Sequence, residues 1–190
     1  MKIIGITGGS GAGKTTITKY LKKYGAEILD ADITAREVVK KGMPALKEIE
    51  NEWENVVKNE ELDRRALAKI VFNDEVALHK LNAITHKYII EEIKKKIKNS
   101  QADIFVIDAI ALFESGLSDL CDVTLCVLAD KDVRIKRIMA RDDLTKGEAK
   151  ERINAQKDDS FYKERADFTI YNNENESNLE EIVGRIIKGS

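Results

Sequence analysis

One stretch limits what this chain can fold into more than any other. Gly8-Gly9-Ser10-Gly11-Ala12-Gly13-Lys14-Thr15 fits the spacing G-x-x-x-x-G-K-[ST]. The residues before it, Ile3 to Thr7, form a short apolar run that predicts a buried strand. Those after it, Thr15 to Tyr24, carry a helical pattern, with Gly25 placed to end the helix. Strand, glycine loop and helix in this order make a phosphate-binding loop. Glycine lets the backbone turn with positive φ and brings N–H groups close to phosphate oxygens. The helix start adds unpaired donors and a favourable dipole. On this reading the loop from Gly8 to Thr15 holds the phosphates of ATP. Lys14 reaches the β- and γ-groups, and the Thr15 hydroxyl is offered to Mg²⁺.

The remaining chain alternates short apolar runs with long helical patterns. Further strands are predicted at Ala26–Asp30, Asp103–Asp108, Asp122–Leu128 and Phe168–Asn172. Helical patterns fill most of 32–100 and 131–165, and Leu179 to Ile187 closes the chain. Near-continuous apolar strands between helices predict an α/β fold with a five-stranded parallel sheet covered on both faces, of the P-loop nucleotide-kinase type. A single domain of 190 residues is expected, with its core at 1–31, 101–133 and 166–190. The 32–100 interval is longer than a crossover needs, so it is expected to form an inserted helical substructure. The stretch 134–165, rich in Arg and Lys, reads as a lid.

Composition removes several classes. The net charge is −2, against the basic balance of most nucleic-acid binders. No apolar stretch approaches membrane-spanning length, and the N-terminal apolar run is too short for a signal peptide. The two cysteines, Cys121 and Cys126, fit no zinc or redox spacing. These features predict a cytoplasmic protein without a membrane or nucleic-acid partner.

Other candidate residues cluster at predicted strand ends, where ligands of open α/β sheets gather. Asp30 and Asp32 lie at the C-terminal end of the second strand; either carboxylate could serve a metal or accept a hydroxyl proton, and Asp32 could instead cap the next helix. Arg36 lies one turn beyond Asp32. Asp108 ends the third strand as a metal-binding carboxylate would. Phe113 and Glu114 follow in a loop near the same edge, where Phe113 either walls a substrate or packs in the core. Arg134, Arg137 and Arg141 recur at helical spacing and could clamp phosphates, Arg141 standing where a lid would begin. His86 reads as a partly buried structural histidine.

Together these segments resemble the dephospho-CoA kinase family. The resemblance runs through most of the chain. It rests on Gly5-Ile6-Thr7-Gly8-Gly9, on Asp30-Ala31-Asp32-Ile33 with Ala35-Arg36-Glu37-Val38-Val39, and on Gly42-Met43-Pro44-Ala45-Leu46. It continues through Leu62-Asp63-Arg64-Arg65-Ala66-Leu67, Val71-Phe72, Leu112-Phe113-Glu114-Ser115-Gly116-Leu117, Met139-Ala140-Arg141-Asp142 and Arg152-Ile153-Asn154-Ala155-Gln156. It implies ATP-dependent phosphorylation of the ribose 3′-hydroxyl of dephospho-CoA. By position it implies Asp32 as general base or hydroxyl-orienting carboxylate, Gly11, Ala12, Gly13, Lys14, Thr15 and Thr16 as the ATP loop, Arg141 near the ATP phosphates, Arg36 at the acceptor, and the 32–100 insertion as the acceptor-binding region. Thr7 and Glu114 are carried over to the cleft in the same way. Two places depart from the family: Ile110-Ala111-Leu112 stands where Pro-Leu-Leu is usual, and Lys87 follows His86 where proline is usual. Both bear on the acceptor side, not on the ATP loop. The rival readings are another small-molecule kinase, for a nucleoside or nucleotide, and a nucleotide-dependent regulator. The regulator is disfavoured because no Asn-Lys-x-Asp guanine-recognition segment is present.

Overall fold

The computed structural model describes residues 1–72, 74–173 and 178–188; positions 174–177 and 189–190 of the expected core range lie outside the described residues. In chain order the elements are β1 Lys2–Thr7, α1 Lys14–Lys23, β2 Glu27–Asp30, α2 Ala31–Glu37, α3 Pro44–Glu52, β3 Val57–Lys58, β4 Glu61–Leu62, α4 Arg64–Val71 and α5 Glu75–Asn99. Then follow β5 Ile104–Asp108, a 3₁₀ turn at Leu117–Leu120, β6 Val123–Leu128, α6 Lys131–Asp142, α7 Lys146–Asn154, α8 Asp159–Lys163, β7 Phe168–Tyr171 and α9 Leu179–Lys188. The chain divides into two compact units, Met1–Leu29 with Gln101–Ser190, and Asp30–Ser100. Residues 134–165, expected as a lid, belong to the first unit.

In the first unit the sheet runs β2-β5-β1-β6-β7, with β1 at its centre. β1 pairs in parallel with β5 and β6, and β6 in parallel with β7. Ile4, Ile6, Val106, Leu125 and Val127 project from three buried strands into one core, together with Ile17 and Leu21 of α1 and Val183 and Ile186 of α9. Burying each such side chain contributes about 1.5–3 kcal/mol, which fixes β1 and α1 on either side of the glycine loop. Because these strands run parallel, the loops after β1, β5, β6 and β7 emerge at one edge.

The helices α6 and α7 form a hairpin with its own small core of Ile135, Ile138, Ala149 and Ile153. A four-element signal starts α7: Thr145 Oγ1 accepts from the Glu148 N–H, and the Glu148 carboxylate accepts from the Thr145 N–H at 2.8 Å. This reciprocal cap satisfies donors that would otherwise be open.

The second unit packs α2, α3 and α4 against the long helix α5. Its short antiparallel hairpin, β3 with β4, lies in a stretch where helical patterns were expected to fill most of the chain. The turn residues Asn59 and Glu60 both have positive φ, 53° and 64°. That is the two-residue turn whose twist suits a hairpin, here in a form without glycine.

Candidate active site

The phosphate loop leaves β1 at Thr7 and enters α1 at Lys14. Gly13 is the N-terminal cap of α1 with φ 90°, and no side chain caps this helix. There is also no acidic residue in its first turn. The open N–H groups and the positive end of the dipole are therefore left for an anion.

The carbonyl side of the loop is held from behind. Arg134 Nε donates to the Ser10 carbonyl at 3.0 Å. Arg137 donates to the carbonyls of Gly11 and Ala12 at 3.3 and 3.4 Å, and more closely to that of Asn172 at 2.9 Å. Asn172, a buried residue just beyond β7, donates its amide to the carbonyls of Ala12 and Gly13. A peptide unit whose C=O is fixed on one side presents its N–H on the other. These bonds thus turn the loop amides towards the cleft.

That cleft has a volume of about 600 Å³ and is lined by the loop together with Ile110, Arg137, Ala140, Arg141 and Arg152. Lys14 lies in it, its ammonium donating to the Gly8 carbonyl at 3.2 Å and standing 3.9 Å from the Asp108 carboxylate. At the tip of the helical hairpin, Arg141 makes a two-pronged contact with Asp142, at 2.9 and 2.8 Å. Arg152 pairs with the same carboxylate. Hydrogen bonding from Arg141, reinforced by its charge and that of Arg152, holds the Asp142 carboxyl below the usual carboxylate range. Three guanidinium groups and one ammonium thus border a single cleft.

Several expected residues have other parts. Arg134, expected to clamp phosphates, is buried beneath the loop and grips its Ser10 carbonyl; burial pushes its pKa down, against the pull of Asp159. Thr7 is fully buried, and its hydroxyl donates to the Ile110 carbonyl at 2.9 Å. It therefore supports the loop at Ile110. Phe113 packs beside Cys126, Leu128 and Tyr162, with Phe161 edge-on at 6.4 Å, which is the core alternative. Glu114 is exposed in the loop after β5. Arg152 and Gln156 entered only within a segment of the family resemblance and Asn172 only as a strand end; the sequence assigned no role to any of the three.

Asp32 and Arg36 belong to the helical unit, both exposed on α2 and one turn apart. The capping alternative for Asp32 falls away: Asp30 caps α2, accepting from the N–H groups of Asp32 and Ile33 at 2.8 and 3.0 Å. The same unit holds a largely apolar cavity of about 370 Å³ lined by Ala35, Val39, Leu67 and Ile89, with Arg64 and His86 among its polar residues.

The dephospho-CoA kinase family model matches residues 2–178. The chain belongs to the dephospho-CoA kinase family. A dephospho-CoA kinase of Moorella thermoacetica is 44% identical over 173 residues, covering 87% of this chain and 81% of that protein. A crystal structure of a Thermus thermophilus protein superposes with a TM-score of 0.83 at 30% identity, covering 99% of this chain and 97% of the other. The dephospho-CoA kinase of Campylobacter jejuni does so with a TM-score of 0.67 at 27% identity, covering 99% and 96%. Membership of this kinase family accounts for the open helix start and the arginine-lined cleft: both suit the phosphates of ATP, as in an ATP-dependent phosphotransferase.

Proposed function

We propose that this chain transfers the γ-phosphoryl group of ATP to the ribose 3′-hydroxyl of dephospho-CoA, giving CoA and ADP. The observation that carries this reading is the uncapped start of α1 facing a cleft bordered by Lys14, Arg137, Arg141 and Arg152, in a chain of this family.

Phosphoryl transfer passes through a loose transition state, so catalysis is mainly positioning and charge stabilisation. The amides of Gly11 to Thr15 cradle the phosphates. Lys14 neutralises charge on the β- and γ-groups. Arg141 and Arg152 exchange the Asp142 carboxylate for phosphate oxygens. The donor set fits Mg²⁺, which takes few protein ligands and keeps water and phosphate for the rest. Thr15 would hold it directly and Asp108, beside Lys14, would hold it through water. When bound, Mg²⁺ would supply neutralisation of the phosphate charge.

On the acceptor side, Asp32 takes the hydrogen bond of the 3′-hydroxyl and receives its proton at or after the transition state. Arg36, one turn along α2, pairs with an anionic group of the acceptor. The apolar cavity of the helical unit suits the acceptor's uncharged arm. Reaction in the cytoplasm fits the unpaired cysteines, Cys121 and Cys126.

The test is Asp32→Asn with product analysis. The variant should bind ATP as the wild type does and lose about 10²–10⁴-fold in turnover. The wild-type product should carry its new phosphate on the ribose 3′-position. Wild-type turnover by Asp32→Asn would remove Asp32 from this role.

A further inference from the structure

Ser10 is pinned at every polar atom it has. Its N–H donates to Gln156 Oε1 at 3.0 Å, its carbonyl accepts from Arg134 Nε at 3.0 Å, and its hydroxyl accepts from Gln156 Nε2 at 3.1 Å. The two gripping side chains are also bonded to each other, Arg134 donating to the same Gln156 oxygen at 2.9 Å. The orientation of the Gln156 amide follows from these partners. Its oxygen meets two donors, which the NH₂ group could not accept. The grip depends on Gly9 as well: a Cβ there would come within 2.3 Å of the Arg134 guanidinium and 2.9 Å of the Gln156 oxygen.

The cost of this arrangement points to its purpose. The Arg134 side chain is only 7% exposed, and the carboxylate it pairs with among the described residues, that of Asp159, is 3.5 Å away. Burying a cation with so loose a counter-ion is unfavourable, and an apolar residue of similar volume would serve packing at least as well. What an apolar residue cannot do is fix a carbonyl. Gln156 adds a link of another kind. It stands just past the end of α7, whose last turn carries Arg152, in the hairpin whose tip carries Arg141.

We propose that Arg134 and Gln156 are positioning residues for ATP: they lock the Ser10 corner of the loop so that the amides from Gly11 to Thr15 face the phosphates, and they tie that corner to the base of the arginine hairpin. Neither touches nucleotide. The Ser10 N–H is taken by Gln156 and so is not a phosphate donor. The inference rests on the reading of this loop as the ATP site.

The experiment compares Gln156→Leu, which keeps the length and loses the acceptor, with Gln156→Glu, which keeps it. The Ser10 hydroxyl can turn and donate to the new carboxylate. KM for ATP, KM for dephospho-CoA, kcat, and ATP affinity by equilibrium dialysis are measured for each. Gln156→Leu should raise the KM and Kd for ATP about tenfold or more, as expected when a half-buried acceptor shared by two donors is lost. Its KM for dephospho-CoA should stay within about twofold of wild type, and Gln156→Glu should keep most of the ATP affinity. Unchanged ATP affinity in Gln156→Leu overturns the proposal. So does equal impairment in both variants, or a parallel rise in both KM values, which marks general loosening. Should Gln156→Leu fail to fold, Arg134→Lys, which keeps the charge and loses the Nε donor, is read by the same dialysis. Wild-type protein that binds ATP but ignores dephospho-CoA would overturn the acceptor assignment and leave this test intact.

Discussion

The side-chain amide of Asn172 occupies the space where Gly13 would carry a Cβ: an added methyl would lie 2.0 Å from Nδ2. From there the amide donates to the Gly13 carbonyl at 3.3 Å and to that of Ala12 at 3.2 Å. The glycine that starts α1 is thus required twice, by its φ of 90° and by the side chain that presses on it from behind. Gly13→Ala should therefore destabilise the fold by about 1–3 kcal/mol from backbone strain alone. It should also abolish measurable ATP binding, because displacing Asn172 frees two loop carbonyls. Thermal unfolding with and without ATP checks both effects. An unchanged melting temperature with normal ATP protection would contradict the role given to this contact.

Arg152 separates a functional contact from a structural one. Its side chain is 46% exposed, and its ion pair with Asp142 is open to water and salt. Arg152→Ala should barely move the melting temperature. It should lower kcat/KM for ATP by about 10–100-fold if the guanidinium meets phosphate charge during transfer. Steady-state kinetics varying ATP at saturating acceptor decides the point, and wild-type kinetics would confine Arg152 to the Asp142 pair.

His86 gives the helical unit a pH signature. Burial lowers its pKa from the ordinary histidine value. The unfolded chain therefore takes up this proton at a higher pH than the folded one. The contribution of neutral His86 to stability is fully present above about pH 6.5, falls as pH drops through that value, and levels off below the lowered folded pKa. Denaturant midpoints between pH 5 and pH 8 should show this slope, and His86→Gln should flatten it. An identical slope in the variant would assign the effect to other groups.

How far the sequence alone reaches is clear from particular residues. The central strands were legible because Ile4, Ile6, Val106 and Leu125 lie in apolar runs that only a strand buried on both faces requires. The phosphate loop was legible because its chemistry is local, with glycines, Lys14 and Thr15 in one short segment. Long-range partners left no such mark. Arg134 has the helical spacing of a basic face with Arg137 and Arg141, yet its main contact lies 124 residues away in the loop. Asn172 and Gln156 act over 160 and 146 residues, and nothing beside either side chain predicts its partner. Thr7 stood at the right strand end, but only the path of the following loop decides that its hydroxyl meets Ile110. The β3–β4 hairpin was missed because its strands are two residues each and its turn lacks the usual glycine.

Release of ADP from Mg²⁺-ATP, measured with dephospho-CoA and with a panel of nucleosides, nucleotides and adenosine, tests the central claim most directly. Strong stimulation by dephospho-CoA alone, with CoA as the product, is the predicted result. Stimulation by a different acceptor, with dephospho-CoA inert, would contradict it.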